Sequence, residues 1–185
     1  MKKILNIAGW IVLAILFIFI LSEALKAIDK NKIDPKTLTT GPANSGVIID
    51  QEIPNVIGYI DDSANILSTE TKVSLTALLT EFAKGDKGEI AILTVPSMNG
   101  LTIEEFGIRV GEKWKVGKAG IDNGVIIIIA LNERKVRIET GRGANITDAQ
   151  AGQILDNKMV PKLKKGDWNG AVQDGVQEII LLMNR

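Results

Sequence analysis

The sequence contains neither cysteine nor histidine. Without thiols there is no disulfide and no cysteine nucleophile, though many exported bacterial domains manage without either, so the compartment stays open on this count. Without imidazole the chain cannot build a Ser-His triad, a histidine-ligated zinc site or a phospho-histidine, each of which needs a group titrating near neutrality. Aromatic residues are only 4% of the total, which leaves little material for stacking bases or sugars. Net charge is missing as well. The 22 basic residues balance 22 acidic ones, so no whole-chain field steers toward nucleic acid, and nucleic acid is not an expected partner. At 185 residues the chain has room for one ordinary domain and a short extra segment.

The extra segment stands at the front. Lys2 and Lys3 precede an apolar run from Ile4 to Leu21 that only Asn6 interrupts. As a helix this run covers about 27 Å, and extension through Leu25 completes a ~30 Å hydrocarbon core. The two lysines favour a cytoplasmic N-terminus and leave everything after Leu25 outside. The alternative is a cleaved signal peptide, for which Ser22-Glu23-Ala24 offers a small-x-small site. Both readings export the remainder. One gives a single-pass protein of the cytoplasmic membrane with an extracytoplasmic C-terminal domain; the other gives a secreted or periplasmic one. Residues 1–25 are therefore read as anchor or signal. Residues 26–52, rich in Lys, Asp, Thr, Asn, Pro and Gly, read as a flexible linker in which Val47-Ile48-Ile49 could add a short edge strand. Residues 53–185 read as the folded domain.

Within that domain the periods alternate between helix and strand. Ser68 caps a helix with apolar positions Leu75, Leu78, Leu79 and Phe82, stopped by Gly85. Glu89 to Val95 is a strand ended by Pro96. Thr102 and Glu105 form a capping box for a helix burying Ile103, Phe106, Val110 and Trp114. Val125 to Ile129 is an unbroken β-branched run, the pattern of a central strand covered on both faces. After a tight turn at Asn132-Glu133, Arg134 to Thr140 alternates as a hairpin partner with one wet face. Thr147 and Gln150 cap a helix through about Asn157, Pro161 to Gly166 reads as a basic loop, and Asp167 caps the last helix. Helices must cover both faces of such a sheet, which predicts a three-layer α/β/α domain with a small mixed sheet, preceded by one transmembrane or signal segment.

These landmarks, in this order, resemble the TPM domain family of thylakoid-lumen and bacterial exported proteins, also labelled TPM phosphatases. The resemblance is carried by Gly58-Tyr59-Ile60-Asp61-Asp62, the strand Gly88 to Val95, Gly100 to Glu105, and Trp114-Lys115-Val116-Gly117. It continues through Asp122-Asn123-Gly124, Arg134 to Glu139, Gly141-x-Gly143, Thr147-Asp148-Ala149 and Gly166-Asp167-Trp168. It covers about Pro54 to the C-terminus. Two features depart from the pattern. The stretch from Gly141 to Asp148 is short and lacks the family's glutamate, and the hydrophobic segment is at the front, with no C-terminal membrane helix or glycine-rich tail.

Several residues are candidates for chemistry. Asp62, Asp122, Asn123 and Asp148 supply hard oxygens suited to a divalent cation, calcium first and magnesium as the alternative. The resemblance implies calcium binding by acidic loops that converge at one edge of the sheet. Each residue also has an ordinary role: Asp62 as an Asx-turn or cap acceptor, Asp122-Asn123-Gly124 as a turn, Asp148 as a carboxylate on a helix dipole. Arg134, Arg137 and Arg142 could gather a phosphate, or Arg137 could pair with a neighbouring carboxylate. Lys162, Lys164 and Lys165 suit solvation or anionic headgroups. Trp114 and Trp168 suit core or boundary packing rather than a ligand platform. Three functions follow: a calcium-binding accessory or interaction module of the cell envelope, a metal-dependent acid phosphatase-like hydrolase as the resemblance implies, or a metal-free structural partner of a membrane complex. The sequence does not identify the envelope or membrane protein it would meet.

Overall fold

The computed structural model describes residues 53–185; the N-terminal hydrophobic segment and the linker, Val47–Ile49 included, lie outside the described residues. In chain order come β1 (Ile60–Asp62), α1 (Thr69–Ala83), β2 (Glu89–Val95), α2 (Ile103–Trp114), β3 (Gly124–Ala130) and β4 (Lys135–Thr140). They are followed by α3 (Asp148–Ile154), a π-helical turn (Leu155–Met159), α4 (Val160–Leu163) and α5 (Trp168–Met183). The starts of the long helices lie where the caps predict. Ser68 and Asp167 accept hydrogen bonds from the Thr71 and Gly170 N–H groups. Thr102 with Glu105 and Thr147 with Gln150 close full capping boxes. Each cap satisfies N–H groups that the first helical turn leaves without partners.

The sheet has the order β1-β2-β3-β4, with β1, β2 and β3 parallel and β4 antiparallel to β3. Every residue of β3 is buried, as the β-branched run implies. One face presents Ile90, Ile92, Val125, Ile127, Ile129 and Ile138 to α1, α3 and α5. The other presents Ala91, Leu93, Val95, Ile126, Ile128 and Ala130 to Phe106, Val110 and Trp114 of α2. Helices thus cover both faces, and the α/β class holds. The chain steps β1 to β2 to β3 in one direction, yet α1 and α2 lie on opposite faces. The two crossovers must then have opposite hands, so one runs against the strong right-handed preference of such units.

Four expectations change. The short edge strand in the described residues is Ile60–Asp62, which its three-residue length hid from any periodicity argument. Leu78 is 39% exposed, because α1 buries only the stripe through Thr71, Leu75 and Leu79. Pro161 to Gly166 is not wholly a loop. The helix begun at Asp148 continues to Leu163 through the π-turn, where the Val160 N–H reaches back to the Leu155 carbonyl. Widening the helix just before Pro161 accommodates a ring that would otherwise meet the preceding turn. Finally, the second face of β4 is not simply wet. Arg137 and Glu139 pair at 2.6 Å beneath α2, where a Cβ on Gly107 would fall 2.7 Å from the Glu139 carboxylate. Gly107 is there to let the helix approach. Among the described residues no helix is long and apolar enough to cross a membrane.

Candidate functional site

At the C-terminal edge of the parallel strands Asp62 sits opposite Thr94. Its Oδ1 accepts from the Thr94 hydroxyl at 2.6 Å and the Ile66 N–H at 3.1 Å. Its Oδ2 accepts from the Leu67 N–H at 3.1 Å and the Lys72 ammonium at 3.2 Å. The side chain is 4% exposed. A carboxylate offers about four lone-pair sites, and here all are engaged by the fold itself. Asp62 ties β1, the turn into α1 and β2 together.

Sequence reasoning missed a second carboxylate on this edge. Glu133, in the β3–β4 turn, accepts from the Ser97 hydroxyl at 2.6 Å and the Met98 N–H at 3.0 Å through Oε1. Its Oε2 is buried without a partner among the described residues. The Ser97 hydroxyl and then the Met98 N–H hold its carboxyl below the usual range because both stabilise the ionised form. Its only sequence signal was its place in a tight turn.

Asp122 and Asn123 precede Gly124 at the opposite end of the sheet. Asp62 aligns with Thr94 and thereby with Ile129, so it stands roughly 20 Å from Asp122 along the strands. The expected convergence of these two acidic loops on one edge does not occur. Asp122 has φ 57°, a left-handed conformation that aspartate tolerates better than most residues. Its Oδ2 accepts from the Arg142 N–H at 3.1 Å and lies 3.9 Å from the Arg142 guanidinium. Asn123 is buried, and its Oδ1 accepts from the Lys118 N–H at 2.9 Å. Asp148 is exposed in the first turn of α3. The glycines here serve close packing: a Cβ on Gly141 would fall 2.1 Å from the Asp122 carbonyl, and one on Gly143 2.0 Å from that of Ile121. This donor set does not fit a calcium site. Two side chains already close the loop, and a Ca²⁺ ion takes six to eight oxygens. Among the described residues no three acidic side chains gather to hold a metal.

The arginines are likewise separated. Arg134 and Arg142 flank opposite ends of β4, roughly 20 Å apart, and Arg137 is bound to Glu139. No common phosphate site forms from the three. Lys162 pairs with Asp174 at 2.8 Å. Trp114 is core, donating its indole N–H to the Pro54 carbonyl at 2.8 Å. Trp168, half-buried, packs against the core at its boundary and also lines a cleft.

That cleft, of about 770 Å³, opens beside the β3–β4 turn at the C-terminal edge. Its floor includes Val136, Val160, Leu163 and Trp168, and its rim carries Arg134, Lys135 and Lys164. None of these cations makes an ion pair among the described residues. The lining has no carboxylate and no hydroxyl. Arg134 reaches the rim from a left-handed conformation, φ 52°, closing the turn with its N–H on the Leu131 carbonyl. A second cleft, of about 900 Å³ at the other edge, mixes Glu112, Asp122 and Glu139 with Lys115, Lys118 and Arg142. Its charges have no single sign.

The family model of the TPM domain matches residues 60–182. Among solved structures, the chain is similar to the N-terminal domain of a protein from P. gingivalis, at 25% identity and a TM-score of 0.66, covering 73% of this chain and 90% of that one. It is also similar to the N-terminal domain of the cg2496 protein from Corynebacterium glutamicum, at 16% identity and TM-score 0.53, covering 79% and 87%. A third likeness is to the BA42 protein from the psychrophilic bacterium Bizionia argentinensis, at 19% identity and TM-score 0.52, covering 63% and 81%. The last two likenesses show the fold alone. No curated protein matches the chain.

Proposed function

Because this chain belongs to the TPM domain family, we propose that it is a non-catalytic interaction module of the cell envelope, held outside the cytoplasmic membrane by its N-terminal hydrophobic segment. The observation that carries this reading is the composition of the C-terminal-edge cleft. It has groups that bind, three cations without an ion pair among the described residues over an apolar floor, and its lining lacks groups that react. Phosphomonoester hydrolysis needs a nucleophile or metal-activated water as well as charge compensation. Of the carboxylates at this edge, Asp62 is taken up by two backbone N–H groups, a hydroxyl and an ammonium, and Glu133 accepts from a hydroxyl and a backbone N–H through Oε1.

The test is turnover and metal response of the full chain in non-ionic detergent. No release of phosphate from an aryl phosphate is expected with Ca²⁺ or Mg²⁺ present. Melts in Ca²⁺, Mg²⁺ and chelator at constant ionic strength should coincide. A bound ion at 100 times its Kd would instead add about 2.7 kcal/mol, a plain upward shift. Turnover, or a calcium-dependent shift that Asp122→Ala abolishes, would return the protein to the hydrolase or calcium-binding reading. A reporter enzyme fused after Arg185, active only outside the cytoplasm, tests the orientation; a silent, cytoplasmic reporter overturns it.

A further inference from the structure

Among the described residues, strand β4 is an edge of the sheet, hydrogen-bonded only to β3. The Gly141 N–H donates to the Gly124 carbonyl at 2.8 Å. Since antiparallel pairing alternates, Glu139, Arg137 and Lys135 also turn their backbone groups toward β3. Val136, Ile138 and Thr140 therefore turn theirs outward. An edge of this kind is a template for another strand unless something blunts it. Proline is one such block, and β4 has none; its charged residues Lys135, Arg137 and Glu139 turn their backbone groups to β3 and leave the outward ones free of charge. The open edge begins where the cationic cleft lies, because Val136, the first outward-turned residue of β4, also lines the cleft, next to Arg134 and Lys135.

We propose that an extended segment of a partner protein, alternating apolar and acidic residues, adds a strand to β4. Its backbone pairs with Val136, Ile138 and Thr140. One set of its alternating side chains enters the apolar floor at Val160, Leu163 and Trp168, and its acidic groups meet Arg134, Lys135 and Lys164. This mode divides the work: main-chain bonds give affinity, while the pocket and the charges give specificity. Charge complementarity selects the occupant, since the three rim cations have no carboxylate partner among the described residues. An anionic lipid headgroup would satisfy the cations but leave the strand edge and the apolar trough unused. The inference rests on the interaction-module reading and specifies its partner chemistry.

The test uses the full chain in non-ionic detergent and a labelled synthetic peptide alternating valine and glutamate, followed by fluorescence anisotropy. Saturable binding that weakens with rising salt is expected, because exposed charge pairs are screened. Lys164→Glu should weaken it roughly tenfold or more by placing like charges together. The same peptide N-methylated on every backbone nitrogen keeps its charge and side chains but has no N–H to donate from either edge, and should lose binding. Equal binding of the methylated peptide overturns strand addition, and no binding of the parent peptide overturns the proposal altogether. Vesicles of anionic phospholipid provide the remaining arm. If they bind in a Lys164-dependent way while the peptide does not, the cleft serves a membrane surface and the proposal fails. Phosphate release is read separately, so peptide binding with turnover would sink only the non-catalytic reading.

Discussion

At Asp62 one side chain satisfies two backbone N–H groups, a hydroxyl and an ammonium. Its removal leaves those donors buried or half-buried without a partner, which is more expensive than the loss of the bonds alone. Asp62→Ala should therefore destabilise the domain by about 3 kcal/mol, measured as a lower urea midpoint at unchanged slope. A loss below about 1 kcal/mol would mean that water replaces the carboxylate and that Asp62 does not organise the edge. Arg134 points the other way. A non-glycine residue at φ 52° is strained by roughly 1–2 kcal/mol, and glycine removes that strain while adding unfolded-state entropy. Arg134→Gly should raise stability by about 0.5–1 kcal/mol. An unchanged or lower midpoint would show that the arginine is held there by contacts beyond its turn.

At the scale of elements, β3 is the test of the architecture. Ile127 is fully buried between β2 and β4 and packs with α1 and α5 residues. Ile127→Asp places a carboxylate where no donor is available, a cost of several kcal/mol that approaches the whole stability of a small domain. The variant should lack a cooperative melt, and a near-normal melt would contradict the central position of β3. Elements also depend on what lies across from them. The α2 helix can cover β4 only because position 107 lacks a Cβ, and the π-turn approaches α5 at Gly175, where a Cβ would meet the Met159 sulfur at 2.7 Å. Both glycines stand inside helices, where propensity alone disfavours them.

For the whole molecule, the pH profile follows from the acids whose ionised forms the fold stabilises. The Ser97 hydroxyl lowers Glu133, the Thr102 N–H lowers Glu105, and the Lys118 side chain lowers Asp86. A depressed acid contributes stability that is fully present above its unfolded value, about 4, and is lost as pH falls through the lower folded value. Lys84, raised by the Glu81 carboxylate, contributes below its unfolded value of about 10 and loses that contribution above it, an exposed pair of small effect. With no histidine and no cysteine, no ordinary side chain titrates between. Urea midpoints should be flat from about pH 5 to 8 and fall below about 4. A step near pH 6 to 7 would require a strongly shifted carboxyl group and would contradict this account.

The sequence by itself determined the elements and their class. Caps at Ser68, Thr102, Thr147 and Asp167, the β-branched run before Ala130 and the alternation after Arg134 are local signals, decided within a few residues by orphan N–H groups and side-chain period. Tertiary structure alone decided which loops meet. Asp62 and Asp122 look alike in sequence, each an acid at a strand end, but one closes β1 and the other precedes β3, so parallel pairing sends them to opposite edges. The same geometry separates Arg134 from Arg142 across the length of β4 and brings Arg134 beside Lys164 and Trp168, which lie far along the chain. Whether an acidic side chain is free to bind depends on donors supplied from elsewhere, such as Thr94 and Lys72 for Asp62. No window of sequence contains that information, because it is set by the direction and order of strands.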